Sequence, residues 1–323
     1  MAKYFILSID GGGVRGIIPA RILQEIEQRA GKPIHQLFNL MVGNSTGGLI
    51  VMALVAPDSN SNVKYKAKDI VKLYIERSKD IFNKSIWRRL YSGMGLWGAK
   101  YSRNNLDSIL ADMFGDTLLS KTLTPILAPS YSINEGFNRL WSTRTAKIDQ
   151  ANNAYLRDIA GATSSAPTYF PPKELKNIKG EITYEADGGI FANNPSMIAI
   201  AEAYKEDPTL KREDILLVSI GTGKITLNHT AHALKDSGVI GWVLKDNLID
   251  IMLNAGNEVT EWEALILGKT ATRIQLNIPV EVNEMDNSSE ENLNELLQIT
   301  EQYIVDNSQI IDRLCDQLKN TSN

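Results

Sequence analysis

Ser45 is the residue in this sequence best suited to act as a nucleophile. It lies in Gly-Asn-Ser-Thr-Gly at residues 43–47, after a short apolar run and before an apolar segment at 49–56. A strand that turns sharply into a helix holds such a serine in a strained conformation and exposes its hydroxyl. Gly43 and Gly47 leave room for that turn, and the helix directs its N-terminal N–H groups back toward the serine. The pattern indicates acyl transfer through a serine ester.

A glycine-rich loop precedes this motif by one helix. Residues 4–10 predict a buried strand, residues 17–30 predict a helix, and Gly-Gly-Gly-Val-Arg-Gly at 11–16 connects them. Consecutive backbone N–H groups in such a loop can face one anionic oxygen. That oxygen could be the oxyanion of a tetrahedral intermediate, bound by the N–H groups of Gly12 and Gly13.

The same loop also fits a second interpretation. Gly11, Gly13 and Gly16 match the spacing of the dinucleotide-binding fingerprint. That fingerprint requires an acidic residue at the end of the next strand, about 20 residues further on. The next predicted strand ends instead at Gly43 and Ser45. A serine motif one helix after the loop favours the oxyanion interpretation, and nucleotide binding remains the alternative.

An aspartate at the end of a later predicted strand is the candidate base. Apolar and polar residues alternate over 182–187, and the strand ends at Asp187, before Gly188 and Gly189. In α/β proteins, functional sites form at the carboxyl ends of the strands. We therefore expect Asp187 to reach Ser45 and to accept its proton.

The chain has three histidines that could complete a Ser–Asp–His triad. The usual chain order of serine, acid and histidine admits His229 or His232. Both lie in a polar stretch that predicts an exposed loop, and His35 falls in a predicted helix-to-strand connection. A two-residue dyad needs fewer assumptions, and an esterase with a complete triad remains the alternative.

Alternating strands and helices predict the fold class. The predicted strands are 4–10, 39–44, 125–133, 138–143, 182–187 and 215–221. The predicted helices include 17–30, 46–56, 67–80, 103–114, 155–164 and 195–206. This alternation is typical of a three-layer α/β/α sandwich around a largely parallel, twisted sheet.

Composition excludes several classes of protein. Thirty-four Lys+Arg against 38 Asp+Glu give a net charge of −4, which argues against general nucleic-acid binding. Cys315 is the only cysteine, so no internal disulfide is expected. No metal-ligand spacing or calcium-loop pattern occurs in the sequence, and we expect neither a metal nor another cofactor.

The ends and apolar runs of the chain bear on its location. A strand predicted from residue 4 leaves no room for a signal peptide. The longest apolar run, 49–56, is far shorter than the ~20 residues that span a bilayer. We expect a protein that is cytoplasmic or peripheral at a membrane, and export by a specialised system stays possible.

Several ordered motifs resemble those of the patatin-like phospholipase family, from Tyr4 to about Gly223. They are Asp-Gly-Gly-Gly-Val-Arg-Gly at 10–16, Gly-Asn-Ser-Thr-Gly-Gly at 43–48, Ala-Thr-Ser-Ser-Ala-Pro-Thr-Tyr-Phe-Pro-Pro at 162–172, Asp-Gly-Gly at 187–189 and Ser-Ile-Gly-Thr-Gly at 219–223. The resemblance implies a patatin-like fold and lipid acyl esters as substrates. It also implies peripheral contact with membranes, and it is compatible with an activating ligand or protein.

The resemblance also assigns roles to residues. It implies a dyad of Ser45 and Asp187, and an oxyanion hole formed by Gly11, Gly12 and Gly13 with Arg15 nearby. The sequence departs from the family pattern at Asn44, where threonine is common, and we expect no consequence. Beyond about residue 225 the resemblance is weak.

Two segments remain to be assigned. Residues 86–101 mix aromatic and basic residues with glycines, which suits either an interfacial flap that touches lipid or an ordinary packed loop. Residues 291–318 carry leucine and isoleucine at helical spacing and predict one or two amphipathic helices. We expect an acyl hydrolase domain at 1–280, with helices from 281–323 packed on it. A regulatory or dimerising role for these helices is the alternative.

Overall fold

A mixed, mostly parallel sheet forms the centre of the molecule. The structure, a computed structural model, describes residues 4–82, 98–224, 248–264 and 270–319. Its eight strands are β1 (Tyr4–Ile9), β2 (Leu40–Gly43), β3 (Ile126–Ser132), β4 (Phe137–Ser142), β5 (Lys173–Lys176), β6 (Ile182–Asp187), β7 (Ile215–Ile220) and β8 (Ala271–Ile274).

Helices cover both faces of this sheet. Within the described residues they are α1 (Ile17–Ala30), α2 (Thr46–Val55), α3 (Ala67–Ile81), α4 (Arg103–Phe114), α5 (Thr143–Ile148), α6 (Leu156–Thr163), α7 (Gly189–Ala192), α8 (Ser196–Glu206), α9 (Leu248–Ala264), α10 (Glu290–Asp306) and α11 (Ser308–Lys319). The predicted α/β architecture with helices on both sides is confirmed.

The sheet is parallel at its centre and antiparallel toward one side. β1 pairs in parallel with β2 and β7, β2 with β3, and β7 with β8. β3 pairs antiparallel with β4 and β6, and β5 pairs antiparallel with β6. The short connection from β3 to β4 forces this change of direction, because a parallel pair needs a long crossover. Gly136 in that connection has a φ of 73°.

Side-chain alternation along β1 separates two apolar cores. Ile6 points into a core that α8 covers, and its neighbours there include Leu40, Val42 and Leu127. Leu7 and Ile9 point into a larger core on the opposite face, where side chains of α1, α2, α3, α4 and α6 pack. The alternation follows from the two-residue period of a strand.

Helix α2 is apolar on nearly all sides. Its residues are buried except Leu49, which is partly exposed. A helix without a polar face is stable only when other elements surround it, and α2 contacts β1, β2 and β3 on the sheet and α6 beside it. The residue at its N-terminus, Ser45, is therefore carried by one of the most deeply packed helices of the fold.

Two C-terminal helices, α10 and α11, pack against α1. Arg21 of α1 pairs with Glu301 at 2.6 Å, and Arg29 pairs with Asp312 at 2.9 Å. Apolar side chains of both helices, Leu293, Leu296, Ile311, Leu314 and Leu318 among them, join the larger core. Since α1 follows the glycine-rich loop directly, the helices also support that loop.

The segment 86–101 falls largely outside the described residues, which resume at residue 98. In the described part of the chain, no helix is both long enough and apolar enough to span a bilayer.

Candidate active site

The topology brings the carboxyl ends of β2 and β6 together. On one edge of β3, Leu127 pairs with Val42 of β2 and Ser130 pairs with Asp187 of β6. The same two residues of β3 pair with β4 on the other edge. β4 therefore occupies one edge of β3, and β2 and β6 share the other. β2 runs parallel to β3 and β6 runs antiparallel, so their ends point toward each other. Ser45, just beyond β2, and Asp187, the last residue of β6, meet there.

Ser45 occupies a strained turn between β2 and α2. Its φ of 51° and ψ of −123° lie in a region of backbone conformation that residues other than glycine rarely adopt. Such a conformation costs about 1–3 kcal/mol and persists only where the surroundings impose it. The Ser45 N–H donates to Thr163 Oγ1 of α6 at 3.0 Å, which holds the turn from one side.

Gly43 and Gly47 are required by close backbone contacts around this turn. A Cβ at position 43 would lie 2.7 Å from the nitrogen of Gly48. A Cβ at position 47 would lie 2.8 Å from the carbonyl oxygen of Asp10. Gly48 belongs to α2 and Asp10 directly follows β1, so neither backbone can move freely. The turn is therefore possible only with glycine at both positions.

Asp187 is a buried carboxylate, and one of its oxygens accepts two hydrogen bonds. Oδ1 accepts from the Gly189 N–H at 2.7 Å and from Asn44 Nδ2 at 3.1 Å. Burial raises the pKa of the Asp187 carboxyl to about 6. Hydrogen bonds from Gly189, Ser45 and Asn44 lower that pKa and so offset part of the rise. A carboxylate with this pKa is ionised at neutral pH and is a stronger base than an ordinary aspartate.

Asn44 contacts the candidate base directly, which the sequence analysis did not anticipate. Its side chain is fully buried, and Nδ2 lies 3.1 Å from Asp187 Oδ1 and 3.4 Å from Asn193 Oδ1. Its own Oδ1 has no hydrogen-bond partner among the described residues. The only signal in the sequence was its position beside the serine.

Gly12 and Gly13 line the same cavity as Ser45. In the described part of the chain, their N–H groups have no protein acceptor. The Gly11 N–H instead donates to the carbonyl of Asn193 at 3.1 Å. Gly13 has a φ of 60°, which favours glycine. Two of the three predicted oxyanion donors are thus available, and the third is engaged.

Arg15 and Gly16 stabilise the glycine-rich loop through contacts with neighbouring residues. The Arg15 guanidinium donates to Asn283 Oδ1 at 2.8 Å and to the Gly12 carbonyl at 3.4 Å, and its side chain is buried. A Cβ at Gly16 would lie 2.7 Å from Tyr74 Cζ, so glycine is needed for close packing. Gly188 plays the same part near the base, since a Cβ there would lie 2.6 Å from the carbonyl oxygen of the β3 residue opposite it.

The chain beyond residue 225 braces both ends of the glycine loop. Arg273 of β8 forms two hydrogen bonds with the buried Asp10 carboxylate, at 3.0 and 2.6 Å. The Val14 N–H donates to the Met285 carbonyl at 2.8 Å. Sequence reasoning missed Arg273 and Met285, because they lie where the resemblance is weak. The Met285 contact argues against nucleotide binding, because the Val14 N–H near the start of α1 is then not available to a phosphate.

An apolar cavity of about 120 Å³ leads away from the two candidate catalytic residues. Ser45, Asp187 and the glycine loop lie at one end. The remaining walls come mainly from α2, α3, α4 and residues 164–170, and apolar side chains predominate, among them Leu49, Ile70, Ile81, Phe82, Leu106 and Phe170. The cavity can therefore hold a hydrocarbon chain attached to an ester carbonyl at Ser45.

The described residues include one of the three histidines. His35 lies in a 3₁₀ turn, Ile34–Gln36, between α1 and β2, as predicted. His229 and His232 lie outside the described residues. Within the four described ranges, no group of three or more His, Cys, Asp or Glu side chains is arranged to hold a metal ion.

A serine at a strand-to-helix turn, with a carboxylate and free backbone donors beside it, is the arrangement of a serine hydrolase. Residues 7–200 match the family model described as patatin-like phospholipase. Patatin-like protein 2 of Oryza sativa subsp. indica is 33% identical, covering 95% of this chain and 85% of its own length. Patatin-like protein 3 of Arabidopsis thaliana is 32% identical, over 92% of this chain and 79% of its own.

Two further proteins are similar to this chain. Patatin-15 of Solanum tuberosum is 30% identical, covering 92% of this chain and 82% of its own length. Among solved structures, VipD from Legionella pneumophila covers 94% of this chain and 67% of its own, with 13% identity and a TM-score of 0.38. The chain belongs to the patatin-like phospholipase family, a family of lipid acyl hydrolases.

Proposed function

We propose that this enzyme hydrolyses fatty acyl esters of membrane lipids, phospholipids among them, through a Ser45–Asp187 dyad. The observation that carries the proposal is the meeting of the ends of β2 and β6, with a buried carboxylate and a serine that line the same apolar cavity. The pKa of about 6 for Asp187 supports a role as base at neutral pH.

The first half of the proposed reaction acylates the serine. Asp187 accepts the proton of the Ser45 hydroxyl as its oxygen attacks the ester carbonyl. The N–H groups of Gly12 and Gly13 stabilise the negative charge on the carbonyl oxygen. The carbon–oxygen bond to the alcohol then breaks, and the leaving alkoxide takes the proton from Asp187. The products are an acyl-serine and an alcohol or lysolipid.

The second half returns the enzyme to its starting state. Asp187 accepts a proton from water, and the hydroxide attacks the acyl-serine carbonyl. The same two backbone donors hold the second oxyanion. When the intermediate collapses, Ser45 regains its proton from Asp187 and the fatty acid leaves. A carboxylate is a weaker base than an imidazole, so the reaction depends on donors that are already in position before the substrate binds.

The substrate class follows from the walls of the cavity. Burying a methylene in an apolar site is worth about 0.8 kcal/mol, so an acyl chain supplies binding energy that a polar substituent does not. We place the enzyme at membrane surfaces as a peripheral protein, because its substrates reside there.

The test uses vesicles of mixed phospholipids and galactolipids, with released fatty acids and lysolipids measured by mass spectrometry. Wild type should release both products, and Ser45→Ala and Asp187→Asn should each abolish their release while keeping the native circular dichroism spectrum. The double variant His229→Ala/His232→Ala is the control and should retain activity. Loss of activity in that control would replace the dyad with a triad. Persistence of activity in Ser45→Ala would refute the proposal.

A further inference from the structure

Three side chains lie between the acyl cavity and a groove on the protein surface. Leu73 and Arg77 of α3 and Met113 of α4 line the cavity that begins at Ser45. The same three residues also line a groove on the outside of the protein, between α3 and α4. We call Leu73, Arg77 and Met113 the end wall.

Polar contacts from α3, from α4 and from the two residues 64 and 65 surround the end wall. Arg77 donates to Asp80 of its own helix at 3.2 Å and pairs with Asp112 of α4 at 3.7 Å. The carbonyl of Met113 accepts from Lys64 Nζ at 2.7 Å and from the Tyr65 hydroxyl at 3.2 Å. These bonds fix the end of α4, so the Met113 side chain is set against the cavity.

The space beyond the end wall is unsuited to hydrocarbon. The groove there is lined largely by charged side chains, namely Lys64, Asp69, Lys72, Glu76 and Asp112. A methylene that passed the wall would meet these groups and water, and it would gain none of the burial available inside the cavity.

The volume inside the wall limits the length of the chain. A dry protein cavity of ~150 Å³ accommodates benzene, which has six carbons. The cavity of about 120 Å³ therefore accommodates about five acyl carbons. From these observations we propose that the end wall sets the acyl-chain length up to which this enzyme gains rate from each added carbon. This inference rests on the proposed acyl hydrolase function.

The expected result is a break in a series of esters of increasing acyl-chain length. The break is the chain length at which kcat/KM stops rising. Each methylene buried inside the cavity should raise kcat/KM by about fourfold, and methylenes beyond the wall should add nothing. The series uses p-nitrophenyl esters from acetate to laurate at concentrations below micelle formation. For wild type, kcat/KM should rise through butyrate and stop rising near hexanoate.

Two substitutions in the wall should move that break in opposite directions. Met113→Ala enlarges the cavity and should shift the break to octanoate or longer. Leu73→Phe shortens the cavity and should shift the break toward butyrate, and Met113→Trp provides a second shortening variant if Leu73→Phe is poorly folded. The control is Ile75→Ala, an exposed residue of the same helix that does not line the cavity. Its break should stay near hexanoate.

The results separate this inference from the proposed function. Suppose that ester cleavage depends on Ser45 but that folded variants of the end wall stop gaining kcat/KM at the same chain length as wild type. That result would refute the role of the end wall and leave the proposed function intact. A wild-type series that rises without a break to laurate would do the same. If no ester of any length is cleaved in a Ser45-dependent manner, the proposed function fails instead.

Discussion

Replacing Asp187 with asparagine should make the protein more stable at neutral pH while abolishing its activity. The exchange fits the site, because both fixed donors, the Gly189 N–H and the Asn44 amide, bind the same oxygen, Oδ1. An asparagine oxygen can accept both of these bonds. The Ser45 hydroxyl, which also hydrogen-bonds to the Asp187 carboxylate, can accept a hydrogen bond from the new NH₂ group. The substitution therefore removes a buried charge and keeps the hydrogen bonds.

The size of the effect follows from the raised pKa of Asp187. Burial raises this pKa from 3.8 to about 6 in the folded protein. At about 1.36 kcal/mol per pH unit, the ionised carboxylate costs the folded state about 3 kcal/mol. The folded state binds the proton more tightly than the unfolded chain, so this cost is absent below about pH 4 and grows as the pH rises. It is complete above about pH 6.5.

The assay is urea unfolding of wild type and Asp187→Asn, followed by tryptophan fluorescence at about pH 4, 6 and 8. The variant should gain stability over wild type as the pH rises, by about 3 kcal/mol at the highest value. Asp149→Asn is the matched control. Lys179 lowers the pKa of the exposed Asp149 carboxyl, so that difference should have the opposite sign. A pH-independent difference, or a less stable Asp187→Asn protein at pH 8, would refute the reasoning.

Three further predictions concern the groups around the dyad. The value of kcat/KM should fall about tenfold per pH unit below about pH 6, where Asp187 becomes protonated. Asn44→Ala should move this fall to higher pH, because the carboxylate loses a donor. A pH–rate profile that is flat from pH 5 to 8 would contradict this. Gly13→Ala should lower kcat by about 10²–10³, since its Cβ collides with the Met285 carbonyl and disturbs the oxyanion donors, and stopped assays with a soluble ester measure the loss. Arg273→Met should destabilise the fold by about 3–5 kcal/mol by leaving Asp10 unpaired, and adding Asp10→Asn should recover most of that in urea unfolding.

Local patterns in the sequence predict much of the fold. All six predicted strands and the six predicted helices named above form within two residues of their expected bounds, because each has a clear apolar pattern. β5 and β8 were missed because both are short, and β5 reads Lys-Glu-Leu-Lys, with little apolar signal. The antiparallel pairing of β3 with β4 and with β6 was not predicted, because periodicity reports burial and not strand direction.

The candidate site could be predicted where its residues lie in local motifs. Ser45 directly follows one predicted strand and Asp187 ends another, and the fold places both at the same cavity. The Asp10–Arg273 pair could not be predicted, because 263 residues separate the partners and neither has a local signal that names the other. Such contacts depend on the tertiary fold.

The central claim is that a carboxylate, without an imidazole, activates Ser45. Labelling with a fluorophosphonate, followed by intact-protein mass spectrometry, tests it most directly. Wild type should gain one adduct, Ser45→Ala none, and Asp187→Asn should react at least about a hundredfold more slowly. His229→Ala/His232→Ala should label at the wild-type rate. Rapid labelling of Asp187→Asn, or loss of labelling in the histidine variant, would contradict the claim.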